Sequence, residues 1–237
     1  MVLRVIFDSR SQNKQLRTGW GVSFLIGDHL LFDTGEDGPF LLENMKKMGV
    51  DIPAIRQVII SHDHYDHTGG LWDLLKEAEG VDVFGCPAFS QTFKRRVREL
   101  KGHLIEKNSF SKITPNIFTT GQIRGSYKNM PLAEQSLVIR TDKGLSLICG
   151  CAHPGILNII DQVMKHFPQE KVHLVMGGFH LMNFPKSQVH AIIKGFQQRK
   201  VQWVAPTHCT GLEMIQLFQS AFTDHFIDVK VGQSIEL

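Results

Sequence analysis

The chain reads as a single α/β domain, residues 1–237, in which mixed sheets are covered by helices. Three observations support this. Strand-like and helical patterns alternate through most of the chain, which places helices on sheets. The first third opens instead on hairpin-like strands, so a purely parallel, doubly wound sheet fits less well. No Pro/Ser/Gly-rich linker, low-complexity tract or short repeat divides the chain, and 237 residues suffice for one large core without staples.

Residues 3–7, 22–26 and 30–32 are short apolar runs rich in β-branched and aromatic side chains, separated by Gly and Asp turns, and read as a strand meander. After Gly38-Pro39, the residues Phe40, Leu41, Met45 and Met48 fall near helical spacing, with Gly49 as the C-terminal cap. Residues 57–60 form a buried strand. Helical patterns recur at 70–78, 87–100, 156–167, 187–199 and 211–222, several opening on Pro, Gly or Ser. Strands come between them at 81–84, 136–140, 145–149, 172–176 and 202–205. Residues 107–131 are the least regular stretch, and a loop of that length is often a functional lid. In the helix around Phe93, the residues Phe93, Val97 and Leu100 share one face and most of the cations the other. That cationic face is ordinary solvated surface, although it would also welcome an anionic substrate.

Hydrophobic residues make up 42% of the chain and charged residues 21%, values that exclude a disordered, collagenous or coiled-coil protein. The 26 Lys+Arg against 23 Asp+Glu leave a formal charge of +3, too small a surplus to predict a nucleic-acid or membrane partner. The four cysteines, Cys86, Cys149, Cys151 and Cys209, contain no C-x-x-C pair and are too few for a disulfide scaffold, which favours a reducing cytoplasm. The run after Met1 meets Asp8 too soon to be a signal-peptide core. No stretch approaches the roughly 18 apolar residues that a membrane span needs.

Twelve histidines are the informative anomaly. Ser61-His62-Asp63-His64-Tyr65-Asp66-His67-Thr68-Gly69-Gly70 begins where the apolar strand Val58-Ile59-Ile60 stops. Three imidazoles and two carboxylates packed on a loop after a strand make a natural ligand shell for a divalent metal. A polar turn whose histidines merely cap neighbouring elements is the competing reading, but a clustered H-x-H-x-D-H is seldom decorative. Alternation directs His62 and His64 one way and Asp63 away, so Asp63 reads as support. Three further histidines each follow an apolar strand among small residues: His153 in Gly150-Cys151-Ala152-His153-Pro154-Gly155, His180 in Gly177-Gly178-Phe179-His180, and His208 in Pro206-Thr207-His208-Cys209-Thr210-Gly211. Phe179 reads as core, and a buried small hydrophobe is the default for Cys149 and Cys151.

These motifs, with the upstream Phe32-Asp33-Thr34-Gly35, resemble the metallo-β-lactamase superfamily over nearly the whole chain. The segments G-C-A-H-P-G, G-G-F-H and P-T-H-C-T-G resemble its branch typified by dihydropterin-linked enzymes of methanopterin biosynthesis. The resemblance implies a four-layer αββα sandwich, two facing mixed sheets flanked by helices, with a dinuclear metal site at one edge. It implies His62 and His64 on a first metal, completed by His153, and Asp66, His67 and His208 on a second. Zinc is the expected ion, with manganese, iron or magnesium as alternatives. Asp33 is either a turn former or, as the resemblance suggests, a partner that orients the metal loop. Many superfamily members carry a bridging aspartate in a G-D motif. The matching stretch here has none, so either Cys151 or His153 replaces it or the metals are held asymmetrically.

The implied activity is a metal-dependent hydrolase in which activated water attacks an ester, phosphoester or lactone of a small molecule, with Asp66 orienting the water and His180 donating a proton or binding the oxyanion. A transferase joining a dihydropterin diphosphate to an aryl-amine ribosyl phosphate, with loss of pyrophosphate, is the alternative. A non-catalytic metal- or ligand-binding module is the second. A nucleic-acid substrate is not expected, since no aromatic-rich basic strand face is evident.

Overall fold

The computed structural model describes residues 1–237 and divides into two compact units, Met1–Ser109 with Lys230–Glu236, and Phe110–Val229 with Leu237. In the first unit the strands are β1 (Val2–Phe7), β2 (Ser23–Ile26), β3 (Leu30–Phe32), β4 (Gln57–Ile59), β5 (Asp82–Gly85) and β6 (His103–Glu106). Its helices are α1 (Gly38–Lys47), α2 (Tyr65–Thr68), α3 (Leu71–Glu77) and α4 (Gln91–Glu99). The sheet runs β1-β2-β3-β4-β5-β6, antiparallel as far as β3 and parallel beyond it. In the parallel pair Phe32 lies beside Ile59, so Asp33 and the segment after Ile60 leave the sheet side by side.

Helix α1 begins two residues before the expected Phe40 because Asp37 caps it, its carboxylate accepting the Phe40 N–H at 2.8 Å. Such a cap is worth about 1 kcal/mol. Leu41, Leu42 and Met45 form its buried stripe, and Gly49 ends it at φ 68°, in the left-handed conformation that a helix stop uses. Helix α4 starts at Gln91 rather than 87, since the Ser90 side chain accepts from Phe93 N at 3.1 Å and sets the first turn there. Phe93 and Val97 are buried as expected. Lys94 departs from the solvated cationic face: it is buried, its ammonium bonded to Pro87 O at 2.6 Å and Glu106 Oε1 at 2.5 Å.

In the second unit the strands are β7 (Ser111–Thr114), β8 (Ile117–Thr119), β9 (Ile123–Tyr127), β10 (Met130–Glu134), β11 (Leu137–Thr141), β12 (Gly144–Cys149), β13 (Val172–Gly178) and β14 (Trp203–Thr207), with helices α5 (Ile156–His166), α6 (Lys186–Gln198) and α7 (Leu212–Phe222). Its sheet runs β14-β13-β12-β11-β8-β7, parallel across β12, β13 and β14 and antiparallel elsewhere. The β9–β10 hairpin forms a separate two-stranded sheet. Residues 107–131 are therefore not irregular: they hold β7, β8, β9 and the start of β10. Of these, β7, β9 and β10 are half-exposed and lack an apolar run, and β8 is only three residues long, which hid them from pattern reading.

Helices α5, α6 and α7 bury Ile159, Ile160, Val189, Phe196, Met214 and Phe218 against Leu147, Val175 and Val204. Phe179 sits in that core, its ring centroid 5.5 Å from those of both Phe196 and Phe218. Aromatic pairs of this kind add about 0.5–1.5 kcal/mol beyond the area they bury. Finally β15 (Ser234–Glu236) returns to the first unit's sheet, antiparallel to β1. Both large sheets are thus mixed and flanked by helices, and no helix is long and apolar enough to cross a membrane.

Candidate metal centre

In the first unit the loop after β4 carries His62 and His64, and α2 carries Asp66 and His67. Asp33, at φ 54° directly after β3, holds this loop from below. Its Oδ1 accepts the Ser61 N–H at 2.6 Å, while its Oδ2 accepts from Ser61 Oγ at 2.6 Å and from His67 Nδ1 at 2.7 Å. All three residues are fully buried. The role of loop orienter, one of the two readings open for Asp33, is thus what its side chain does. The loop comes close because Gly70 lacks a side chain: a Cβ there would lie 2.2 Å from Thr34 O.

Donating Nδ1–H to Asp33 leaves His67 Nε2 outward, 3.5 Å from Asp66 Oδ2. Burial alone would strip His67 of its charge, but Asp33, with Asp66 behind it, pushes its pKa up to about 10. Burial likewise raises the Asp33 carboxyl above its ordinary range, against the opposing pull of His67 and Ser61. His62 Nδ1 meets Ser61 Oγ at 2.9 Å, and its Nε2 lies 3.1 Å from His64 Nδ1. The His62 and His67 ring centroids are 4.1 Å apart. Asp63 turns away, as expected, and accepts the Ser90 N–H at 2.8 Å, tying the loop to the start of α4.

In the second unit Cys149, Gly177 and Pro206 lie in register on β12, β13 and β14. The loops leaving these parallel carboxyl ends carry Cys151 and His153, His180, and His208, the usual place for a site on such a sheet. Ala152, His180 and His208 all adopt positive φ, at 58°, 53° and 51°. Backbone strain of this kind gathers where surrounding structure dictates side-chain direction. The Glu134 carboxylate supplies that dictation for the first loop. Its Oε1 accepts from Cys151 N at 3.0 Å and Ala152 N at 2.7 Å, and its Oε2 from His153 N at 2.8 Å and His153 Nδ1 at 2.9 Å. Burial works to neutralise Glu134, but His153 and the amides outweigh it and hold its pKa below the ordinary value.

The ligand atoms of Cys151, His153 and His180 lie within 4.8 Å of one another, as do those of Cys151, His208 and Cys209. The His153 and His180 ring centroids are 4.5 Å apart, and Tyr127, at the hairpin tip, stands edge-on at 5.6 and 5.8 Å. No local sequence signal marks the role of Glu134, because its partners come 17 to 19 residues later.

The residues present fit divalent metal. Imidazole, carboxylate and thiolate are its ordinary donors. Two histidines, His67 and His153, have Nδ1 committed to a buried carboxylate, the arrangement that turns Nε2 toward a cation.

A metallo-beta-lactamase superfamily model matches residues 21–99. A solved structure described as a metal-dependent hydrolase of the beta-lactamase superfamily is 29% identical, covers 100% of this chain and 99% of its own, and superposes with a TM-score of 0.84. The metallo-beta-lactamase fold protein YhfI from Bacillus subtilis, at 14% identity, matches in fold over 99% of both chains with a TM-score of 0.70. Fold and motif together thus show the resemblance to the metallo-β-lactamase superfamily, and the αββα class that goes with it. The resemblance to the dihydropterin-linked branch is shown as well. A protein of Methanocaldococcus jannaschii named 7,8-dihydropterin-6-methyl-4-(beta-D-ribofuranosyl)-aminobenzene-5'-phosphate synthase is 27% identical, across 97% of this chain and 94% of its own. The superfamily is one of enzymes that includes metal-dependent hydrolases.

Proposed function

We propose that the protein is a metal-dependent hydrolase acting on an ester, phosphoester or lactone of a small molecule, its two units serving as one domain. His62, His64, Asp66, His67, His153 and His208 are the ligands of two divalent ions, zinc first. One observation carries this reading: a buried carboxylate pins Nδ1 of a clustered histidine in each unit, Asp33 on His67 at 2.7 Å and Glu134 on His153 at 2.9 Å. A histidine that merely fills core space needs no such partner beside further imidazoles.

When bound, a divalent cation lowers the pKa of water toward about 7 and polarises a carbonyl or phosphoryl oxygen. The chain's own residues do the rest. Asp66 orients the attacking water through its carboxylate. His180, beside His153, donates a proton to the leaving oxygen or a hydrogen bond to the developing oxyanion. Asp33 and Glu134 keep the imidazoles in one tautomer throughout.

The test is to strip the protein with chelator, reload it with zinc or manganese, and assay generic phosphodiester, ester and lactone substrates. Hydrolysis should vanish on stripping and return on reloading. Full activity in stringently stripped protein would refute the metal-dependent reading.

The synthase-named relative favours a second reading, in which the same donors would hold the metal against the leaving diphosphate of a dihydropterin diphosphate while an aryl-amine ribosyl phosphate displaces it. Incubation with both compounds and assay of released pyrophosphate separates the two. Pyrophosphate release that needs the amine supports the transferase, and hydrolysis of generic substrates without it supports the hydrolase.

A further inference from the structure

Cys151 differs from the other donors of the second unit in belonging to both of the close groups there. Its sulfur lies within 4.8 Å of the ligand nitrogens of His153 and His180, and equally of His208 nitrogen and Cys209 sulfur. It is buried, and its backbone N–H is fixed by Glu134 at 3.0 Å. The carboxylate that could otherwise have joined these donors is fully engaged, since both Glu134 oxygens accept from the Cys151–His153 backbone and from the His153 ring.

The sequence also makes room for sulfur. A Cβ on Gly178 would lie 2.6 Å from Cys209 Sγ, 2.4 Å from Gly150 O and 3.3 Å from Cys151 Cα, so β13 gives up a side chain where the two thiols pack. Cys209 Sγ reaches the Cys151 carbonyl at 3.8 Å and braces that loop from behind.

We propose that Cys151 is a metal ligand, its sulfur joining the imidazoles of the second unit in the donor set, with Cys209 a positioning residue behind it. Sulfur beside imidazoles selects a thiophilic divalent ion such as zinc or cobalt over magnesium or calcium. The inference rests on the metal-dependent reading above and adds a sulfur ligand to its donor set.

The experiment loads metal-free protein with cobalt as a spectroscopic probe, in the unmodified chain and in the Cys151→Ser and Cys209→Ser variants, with folding followed by circular dichroism. Zinc-edge X-ray absorption of the unmodified chain is measured in parallel, so the result does not depend on a variant folding. The unmodified chain should show a near-ultraviolet sulfur-to-cobalt charge-transfer band and a zinc–sulfur distance of about 2.3 Å. Cys151→Ser should lose the band and bind zinc at least about tenfold more weakly in chelator competition, the scale on which even indirect support of a site acts. Cys209→Ser should keep the band. A band that survives in Cys151→Ser, or a zinc shell of nitrogen and oxygen alone, overturns the inference while leaving the metal-dependent reading intact. Failure of the unmodified chain to take up any metal overturns both.

Discussion

Glu134 holds His153 by two bonds at once, accepting its backbone N–H at 2.8 Å and its ring Nδ1–H at 2.9 Å through one oxygen. The other oxygen takes the two preceding amides, so a single buried carboxylate sets both the loop path and the imidazole tautomer. Asp33 does the same in the first unit, bonding Ser61 N and Ser61 Oγ as well as His67 Nδ1.

Glu134→Gln leaves a single acceptor oxygen and an NH2 group facing four N–H groups that need acceptors. Metal affinity measured by chelator competition should fall by about 10- to 100-fold. Glu134→Ala strands buried donors altogether and should lower stability by at least about 3 kcal/mol in denaturant unfolding. Unchanged affinity in the glutamine variant would count against the orienting role.

Asp33→Asn should reduce metal affinity or turnover by about 10- to 100-fold, because its amide cannot accept through both oxygens from Ser61 and His67. Proposed ligands that Asp33 does not touch should still bind metal, so elemental analysis of this variant should show partial rather than absent occupancy.

Gly178→Ala places a methyl carbon 2.4 Å from Gly150 O and 2.6 Å from Cys209 Sγ. Overpacking against backbone costs about 1–3 kcal/mol. The thermal midpoint should drop accordingly, whereas alanine at Gly80, whose Cβ would meet nothing within 4 Å, should cost only the strain of its positive φ.

The ion pair joining Asp161 to Arg199 at 2.6 and 2.7 Å lowers the Asp161 pKa below its ordinary 3.8. A depressed carboxylate pKa stabilises the fold above the unfolded value and loses that contribution as pH falls through the folded value. Because the carboxylate is half exposed, screening limits the effect to at most about 0.5 kcal/mol. Asp161→Asn should therefore cost a few tenths of a kcal/mol at pH 7 and nothing at pH 2, as read by chemical denaturation at both.

Much of the fold was legible because its central strands are short apolar runs and its helices carry a clean stripe, as Ile156, Ile159, Ile160 and Val163 do on α5. The β9–β10 hairpin was not. Its turn places Lys128 and Asn129 both at positive φ, at 49° and 64°, without the Asn-Gly pair that usually announces such a turn. Its strands carry one half-buried face and no continuous apolar run. Helix α2 was missed because four residues are too few to show a period.

The sequence by itself determined which chemistry is available. A histidine or carboxylate motif is local, and it stands at a strand end that local hydrophobicity reveals. Only the tertiary structure decided how each donor is aimed. Asp33 reaches His67 across 34 residues and Glu134 reaches His153 across 19. Such pairings are set by strand register and loop path, which no short window of sequence contains.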